Sequence, residues 1–186
     1  FNYSAINNFA VREARGEYLL FLNNDVEIIT ENWLEEMLQL CQQKDVGMVG
    51  AKLYYPDDTI QHAGVVVGLG GVAAHVLCKL PRDAEGYMGR LRCVQEISAV
   101  TAACMMVKTS VFKAVGGFDE ELKVAFNDID LCMKVRKYGV KIVFTPYAEL
   151  YHYESKSRGM EDTPEKQLRF SREVNCFRRK WERELL

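Results

Sequence analysis

The amino-acid sequence predicts an α/β fold, because segments with helical periodicity alternate with short apolar segments that are typical of buried strands. Over the first 50 residues the predicted order is helix, strand, helix, strand. This alternation is typical of a mostly parallel sheet with helices packed on its faces. At 186 residues the chain has the size of one ordinary domain, and it contains no internal repeat or interdomain linker.

The first four elements have boundaries that the sequence indicates. Ser4 can cap a first helix that ends before Gly16. The segment 18–22 is apolar and too short for a helix, so it predicts a strand buried on both faces. Thr30 can cap a second helix, and the segment 46–49 predicts a second buried strand.

From residue 51 onward the pattern is less regular. The segment 60–76 contains too many glycines for a stable helix and predicts strands and a mobile loop, followed by a surface segment at 79–92. Strand character returns over residues 94–107. The remaining predicted elements are a short helix from Thr109 to Gly116-Gly117, a helix from Asn127 to Tyr138, a strand from Val140 to Phe144 that Pro146 stops, and a helix opened by Thr163-Pro164.

Composition and charge exclude several classes of function. The net charge of −2 gives no basic field for nucleic acid, so we expect no nucleic-acid partner. No apolar segment of the sequence has the length needed to span a bilayer. The six cysteines show no zinc-site spacing, and a reduced, cytoplasmic setting is favoured over a disulfide framework. The chain begins with Phe1 and shows no signal-peptide pattern, so we expect it to be part of a longer protein.

The first polar motif, Asn23-Asn24-Asp25, directly follows the first predicted strand. Polar groups at the end of a buried strand must be solvated, hydrogen-bonded or bound to a ligand. Ligands of open α/β sheets bind at the carboxyl ends of the strands. An Asx-rich turn explains the motif equally simply, and on this segment alone the turn is favoured.

The second polar motif, Asn127-Asp128-Ile129-Asp130, begins a predicted helix. Residues two apart on a helix face roughly opposite directions, so the two aspartates do not form one carboxylate pair. Asp128 shares a stripe with Leu131, Cys132 and Val135, which directs it toward the protein. The motif indicates either an acid that only stabilises the helix N-terminus or an acid that lies in a cleft.

The third polar motif is the segment YHYESKSRG, residues 151–159, which follows the last predicted strand. The hydroxyl groups of Ser155 and Ser157 and the guanidinium of Arg158 suit anionic oxygens, and the imidazole of His152 suits a metal. A solvated loop with an incidental histidine is an equally good interpretation. We interpret His62 and His75, in the glycine-rich region, as structural.

The sequence resembles the family 2 glycosyltransferases in four segments, in order and in spacing. These are FLNNDVEI, TAACMMVK, GGFDEELKVAFNDIDLCMKVRKYG and YHYESKSRG. More narrowly, they resemble bacterial members that build rhamnose-containing and other cell-surface polysaccharides. The resemblance implies the GT-A fold, a Rossmann-like, mostly parallel mixed sheet flanked by helices. It also implies transfer with inversion from a nucleotide diphosphate sugar to a glycan or lipid-linked acceptor, with Mg²⁺ or Mn²⁺.

The resemblance also implies a role for each motif. Asp25 matches the acidic metal motif of the family, in which Asn23 replaces the first acid, and His152 is the second expected metal ligand. Asp128 matches the catalytic base, and Asn127 replaces the glutamate that usually precedes it. The donor-binding residues implied are Asn8, Asn23, Asn24, Ser155, Ser157 and Arg158, and the acceptor-binding residues are Thr101, Gly116, Gly117 and Asn127.

The same resemblance divides residues 1–186, as a single glycosyltransferase domain, into three parts. Residues 1–50 would be the remainder of the nucleotide-binding half, residues 51–160 the acceptor-binding half, and residues 163–186 a C-terminal helix. Members of the family carry an upstream strand and loop that hold the nucleobase. We therefore expect this chain alone to bind nucleotide sugar weakly, to have little activity, and to self-associate through an exposed sheet edge.

Two further alternatives follow from the sequence. A nucleotidyltransferase also places acids near a metal, although the glycine- and basic-rich phosphate loop of that class is absent here, and a non-catalytic carbohydrate-binding module is the other alternative. The basic last helix favours core packing over contact with an anionic membrane. Lipid-linked acceptors at the inner membrane face keep peripheral membrane contact as the lesser option.

Overall fold

The computed structural model of the chain describes residues 1–154 and 163–185. Over these residues the helices are α1 (Tyr3–Glu13), α2 (Trp33–Cys41), α3 (Thr109–Ala114), α4 (Asn127–Tyr138) and α5 (Pro164–Lys180). The strands are β1 (Tyr18–Leu22), β2 (Val26–Ile28), β3 (Val46–Tyr54), β4 (Ile60–His62), β5 (Val65–Val67), β6 (Ala73–His75), β7 (Gln95–Glu96), β8 (Cys104–Lys108) and β9 (Lys141–His152).

The main sheet is mixed, in the order β1-β8-β3-β9-β2, with β4 paired to β3 and β7 paired to β9. The predicted α/β class is confirmed, but the expectation of mostly parallel neighbours is wrong. Among the strand pairs of the described residues only β3 and β9 are parallel. β1 and β3 do run in the same direction, but β8 lies between them and is antiparallel to both. β8 comes from a distant part of the chain, which local alternation does not predict.

Helices cover both faces of the sheet. On one face Met37 and Cys41 of α2 pack against side chains of β3, β8 and β9. On the other face α1, α3, α4 and α5 enclose a larger core that includes Phe21 and Phe144. Successive residues of a strand point to opposite faces. Accordingly, Met105 of β8 faces the larger core and Met106 faces α2.

Strand β9 does not stop at Pro146, so that prediction is wrong. Its register against β3 shifts from the pair Gly50–Phe144 to the pair Lys52–Glu149, so several residues around the proline bulge out of the ladder. A bulge tolerates proline because a residue in it does not need to donate a ladder hydrogen bond. The strand therefore continues to His152.

Three of the predicted helix caps can be compared with the structure. Thr30 does not cap α2, because the N-cap position is Asn32, which makes no capping hydrogen bond with its side chain. Asn2 rather than Ser4 caps α1, because the Asn2 side chain accepts a hydrogen bond from the Ala5 amide. Ser4 is instead buried and donates to the Leu122 carbonyl. The cap of α5 by Thr163 is confirmed, since its hydroxyl accepts from the Lys166 amide at 3.3 Å.

The last helix packs against the core, as the sequence favoured. Phe177 and Trp181 are buried, and the Trp181 indole donates to Asp130 at 2.8 Å. Two basic side chains of this region bond within the protein: Lys180 lies 2.8 Å from Asp130, and Arg178 donates to the Gly71 carbonyl at 3.0 Å. Within the part of the chain that the structure describes, every helix falls short of the length and apolar character that crossing a membrane requires.

The packing of α5 predicts that Phe177→Ala lowers the free energy of unfolding by about 3–5 kcal/mol, because it removes a fully buried ring and leaves a cavity. Urea unfolding of the 186-residue chain measures this change. Asn175→Ala on the exposed face of the same helix is the control, and we expect it to change stability by no more than about 0.5 kcal/mol. Equal stability of both variants would show that α5 is not docked.

Candidate active site

A cleft of about 510 Å³ opens at one edge of the sheet, where the ends of β1 and β9, the start of β2, the segment before β8 and the N-terminus of α4 meet. Its lining combines residues that are far apart in the sequence and that the three polar motifs or the family resemblance had indicated. Those brought together are Asn23, Asn24, Asp25, Thr101, Asn127, Asp128 and His152.

Asp25 and His152 are neighbours on one side of this cleft because β2 pairs with the end of β9. Val26 is the antiparallel partner of His152, and the Tyr153 amide donates to the Asp25 carbonyl at 2.8 Å. This pairing leaves Asp25 Oδ1 and His152 Nε2 3.3 Å apart, with side chains only 13% and 11% exposed. The predicted metal ligands therefore form a nearly buried pair.

Gln61 on β4 sets the orientation of the His152 ring. The Gln61 side-chain oxygen lies 2.7 Å from His152 Nδ1, and its amide nitrogen donates to the His152 carbonyl at 3.3 Å. Because an amide oxygen only accepts, Nδ1 carries the proton and the Nε2 lone pair faces Asp25. Burial lowers the pKa of His152, although the Asp25 carboxylate opposes that shift, so the ring is neutral at pH 7.

The sequence analysis missed Gln61. The available signal was the pair of consecutive polar residues Gln61-His62 inside an otherwise apolar segment, which the structure places in a buried strand. A histidine ligand is commonly fixed in one tautomer by a hydrogen bond to its other ring nitrogen. Gln61 supplies that hydrogen bond here.

The Asp25–His152 pair fits a divalent cation. Asp25 Oδ1 is buried and has no hydrogen-bond partner, and an imidazole lone pair lies beside it. The 3.3 Å separation of Asp25 Oδ1 and His152 Nε2 suits two adjacent metal ligands, each with a metal–ligand distance of about 2.1 Å. Residues 1–154 and 163–185 contain no group of three or more metal-binding side chains suited to an ion. Further ligands would therefore come from water and substrate oxygens, as is usual for Mg²⁺.

Asp128 lies on the other side of the cleft, at the start of α4. Its Oδ2 accepts from the Ala102 amide at 3.1 Å, and its Oδ1 accepts from the Ile129 amide at 2.8 Å. One carboxylate oxygen thus stabilises the helix N-terminus and the other reaches the segment before β8. Asp130 points away from the cleft and is fully buried against Trp181, as expected for a residue two positions later.

Tyr3 was not predicted as a site residue, but it lines the same cleft. Its hydroxyl donates to the Ala102 carbonyl at 3.3 Å. Burial raises the pKa of Tyr3, and the nearby Asp128 carboxylate adds to that increase, so the phenol remains protonated. Tyr3 and Asp128 therefore hold the two polar groups of the same residue, Ala102.

Asn8, Gly116 and Gly117 lie apart from Asp128, in a separate cleft of about 430 Å³. The Asn8 side chain accepts from the Phe118 amide at 2.9 Å and donates to its carbonyl at 3.0 Å. A Cβ atom on Gly117 would lie 2.7 Å from Asn8 Oδ1, so glycine is needed for this close approach. These contacts are structural and do not favour the predicted donor and acceptor roles of the three residues.

Predictions for five further residues remain to be compared with the structure. Ser155, Ser157 and Arg158 lie outside the described residues, and their donor-binding role stays a prediction. His62 is buried with its Nδ1 3.0 Å from Nδ1 of His75, and burial lowers the pKa of both rings. This contact between two neutral rings is in keeping with the structural interpretation of both histidines.

Comparison with known proteins identifies the family. Residues 2–173 match the model of a glycosyltransferase-like family. The chain belongs to this family. It is 59% identical over 182 residues to the uncharacterized protein y4gI of Sinorhizobium fredii, covering 97% of this chain and 20% of that protein. It is also 42% identical over 166 residues to the O-antigen biosynthesis protein RfbC of Myxococcus xanthus, covering 89% of this chain and 13% of that protein.

The fold of this glycosyltransferase chain agrees with its family. The crystal structure of GalNAc-T7 with UDP, GalNAc and Mn²⁺ superimposes with a TM-score of 0.64 at 13% identity, over 88% of this chain and 32% of that one. The predicted GT-A fold is confirmed. The chain spans a fifth or less of the length of the two curated relatives, so the division into three parts predicted for residues 1–186 stays a prediction.

The hydrogen bond that the Gln61 side-chain oxygen accepts predicts the protonation state of His152. We expect the neutral ring to carry its proton on Nδ1 at pH 7 and to titrate below its ordinary pKa of about 6.5. Nitrogen-15 NMR of the labelled imidazole distinguishes the two tautomers. In Gln61→Met, which removes the acceptor, the ring should become a mixture of tautomers. A proton on Nε2 in the unsubstituted protein would contradict this assignment.

Proposed function

We propose that this glycosyltransferase moves a sugar, with inversion, from a nucleotide diphosphate donor to a hydroxyl group of a glycan or lipid-linked acceptor. The observation that carries this proposal is the cleft itself. On one side of the cleft, a buried Asp25 oxygen without a hydrogen-bond partner lies beside the lone pair of His152. On the other side, the Asp128 carboxylate is held by the Ala102 amide. The sequence resemblance had implied these two roles from the motifs alone.

The Asp25 side of the cleft suits the diphosphate of the donor. Asp25 Oδ1 and His152 Nε2 would hold a divalent cation, and Gln61 keeps the His152 lone pair directed at it. A bound Mg²⁺ or Mn²⁺ ion would offset the negative charge of the departing diphosphate. Asn23 would contact the donor beside that ion, and the 3.2 Å distance from its side-chain nitrogen to His152 Nε2 supports this role.

Asp128 is proposed as the general base. One of its carboxylate oxygens would take the proton of the acceptor hydroxyl while that hydroxyl oxygen forms a bond to the anomeric carbon of the sugar. The bond between the anomeric carbon and the donor phosphate oxygen breaks in the same step, and its electron pair leaves with the diphosphate. Attack from the face opposite the leaving group inverts the anomeric configuration. The hydrogen bond from the Ala102 amide orients the carboxylate for this proton transfer.

The relatives support a role in cell-surface polysaccharide synthesis. RfbC of Myxococcus xanthus is named for O-antigen biosynthesis, and the GalNAc-T7 structure contains UDP and Mn²⁺. We extend both chemistries to this chain, with a hexose or rhamnose as the sugar. Because nucleotide sugars and lipid-linked acceptors meet at the cytoplasmic side of the membrane, we place the protein in the cytoplasm, and peripheral contact with that face stays the lesser option.

The proposed metal site predicts that Asp25→Asn abolishes metal-dependent binding of nucleotide diphosphates to the full-length protein. We expect the affinity to fall at least about 100-fold, since the change removes the orphaned anionic ligand. Calorimetric titration of UDP, GDP and dTDP with and without Mn²⁺ measures it. Asp83→Asn, an exposed change of the same charge, is the control. If no nucleotide binds to the unsubstituted protein under any of these conditions, the transferase proposal fails.

The proposed base predicts that Asp128→Asn lowers kcat by about 10²–10⁴-fold and leaves nucleotide binding unchanged. Asparagine keeps the size of the side chain and one oxygen for the Ala102 amide, but it cannot accept the acceptor proton. Release of nucleoside diphosphate from a panel of UDP-, GDP- and dTDP-activated sugars gives the rate. A variant as fast as the unsubstituted protein would exclude Asp128 as the base.

A further inference from the structure

Glu173, in the middle of α5, is a buried carboxylate bound almost entirely by the backbone of another segment. Its side chain is 3% exposed. Its Oε1 accepts from the Lys123 amide at 3.0 Å and the Val124 amide at 3.2 Å, and its Oε2 accepts from the Ala125 amide at 2.8 Å. Glutamate is seldom fully buried. Three charge-assisted hydrogen bonds to consecutive amides, together with the Arg169 guanidinium 3.8 Å from Oε2, compensate its desolvation here.

The amides that Glu173 binds belong to the α3–α4 loop (residues 115–126), which leads directly into the helix that carries Asp128. Val124 of this loop lines the same cleft as Asp128. The loop is held from the opposite side as well, because its Leu122 carbonyl accepts from Ser4 and its Lys123 carbonyl accepts from the Tyr3 amide at 2.8 Å. The loop is therefore fixed between α1 and α5.

The last residue of the loop, Phe126, has a backbone conformation that needs such support. Its φ of 61° lies in the left-handed region, which is uncommon and costs about 1 kcal/mol or more for a residue with a large side chain. Its ring packs against Phe177 and Phe170 of α5, with centroids 5.5 and 5.7 Å away. Its carbonyl accepts the Asp130 amide at 2.8 Å, the first helical hydrogen bond of α4.

We propose that Glu173 is a positioning residue for the reaction. It holds the α3–α4 loop, which lines the acceptor side of the cleft, and the first turn of α4, so that Asp128 faces the acceptor. This role rests on the function proposed for Asp128. Without the Glu173 carboxylate, the amides of residues 123–125 lose their acceptor and the loop loses these hydrogen bonds to α5. Phe126 would then keep its left-handed conformation only through its ring packing, its hydrogen bond to Asp130 and the bonds of the loop to α1. Among the described residues the donor side is built on β2, β4 and β9, whereas the hydrogen bonds of Glu173 go to the α3–α4 loop, so we expect its effect on the acceptor side.

The test compares Glu173→Gln with Glu173→Asp in the full-length protein, and the exposed change Glu165→Gln on the same helix is the control. Glutamine places an amide N–H group against a backbone N–H group, whereas aspartate keeps the charge but reaches fewer amides. Hydrogen–deuterium exchange should become at least 10-fold faster at residues 123–125 in Glu173→Gln, less so in Glu173→Asp, and remain unchanged at the end of β9.

The kinetic arm measures consumption of the panel of nucleotide sugars, with water as the acceptor. We expect kcat to fall about 10-fold or more in Glu173→Gln and by less in Glu173→Asp, with the donor KM within twofold of the unsubstituted protein. A merely structural role would lower the amount of binding-competent protein, and titration with nucleotide diphosphate would reveal that loss as a reduced stoichiometry. Unchanged exchange at residues 123–125, or faster exchange with unchanged kcat, would overturn the proposal.

The two proposals fail in different ways in this experiment. If the unsubstituted protein consumes no nucleotide sugar, the proposed function fails, and the positioning role fails with it even where the exchange data show that Glu173 holds the loop. If the unsubstituted protein is active and Glu173→Gln matches it in kcat, only the positioning role is overturned. Glu173→Asp keeps the experiment decisive where the glutamine variant does not fold.

Discussion

The candidate site depends on one strand register, the pairing of β2 with the end of β9 that sets Val26 opposite His152. This pairing fixes the Asp25 backbone through the Tyr153 amide and brings the Asp25 carboxylate to 3.3 Å from the imidazole. It requires β9 to extend past Pro146, which the bulge in its register against β3 allows. A shift by one residue would move every side chain of the short strand β2 to the other face of the sheet and separate the pair. The proposed metal site thus depends on sheet geometry more than on the local Asn23-Asn24-Asp25 turn.

The two sides of the cleft are held by different parts of the fold. The sheet holds Asp25, His152 and Gln61, whereas helices and loops hold Asp128 through the Ala102 amide and the start of α4. A reaction between two bound substrates is faster when the groups that contact each substrate are held in a fixed relative geometry. Packing of α4 and α5 against the sheet provides that geometry, since both helices and β9 contribute to one core. The division between a sheet-bound donor side and a helix-bound acceptor side is the structural basis of the proposed transfer.

The sequence predicted the features that are encoded locally. The start of α4 at Asn127, the left-handed Gly139 that ends it and the cap at Thr163 follow from residue types within a few positions of one another. The resemblance added the expectation that Asn23-Asn24-Asp25, Asn127-Asp128 and His152 share a site, and the structure brings them to one cleft. The insertion of β8 between β1 and β3 and the bond from Gln61 to His152 join segments that are dozens of residues apart, and no local pattern specifies such pairs. The placement of Asn8 against Phe118, away from the cleft, has the same cause: an asparagine on a helix shows no sign of which distant loop it will bind.

Asp130 and Glu173 are two buried carboxylates near the cleft. Their burial is better explained by the precise position that they give to α5 than by a gain in the stability of the fold. Replacing a buried ion pair by apolar side chains of similar size is often neutral or stabilising, so burial of charge alone is weak evidence of a stabilising role. Apolar side chains, however, cannot bind three consecutive amides or fix an indole nitrogen, because dispersion contacts have little directional preference. Asp130 accepts a hydrogen bond from the Trp181 indole and so sets where α5 crosses α4. Glu173, about two helical turns before Trp181, then reaches the loop before Asp128. The charges retained at these two positions restrict α5 to one packing position against α4. That position in turn fixes where the backbone of Asp128, the proposed base, lies.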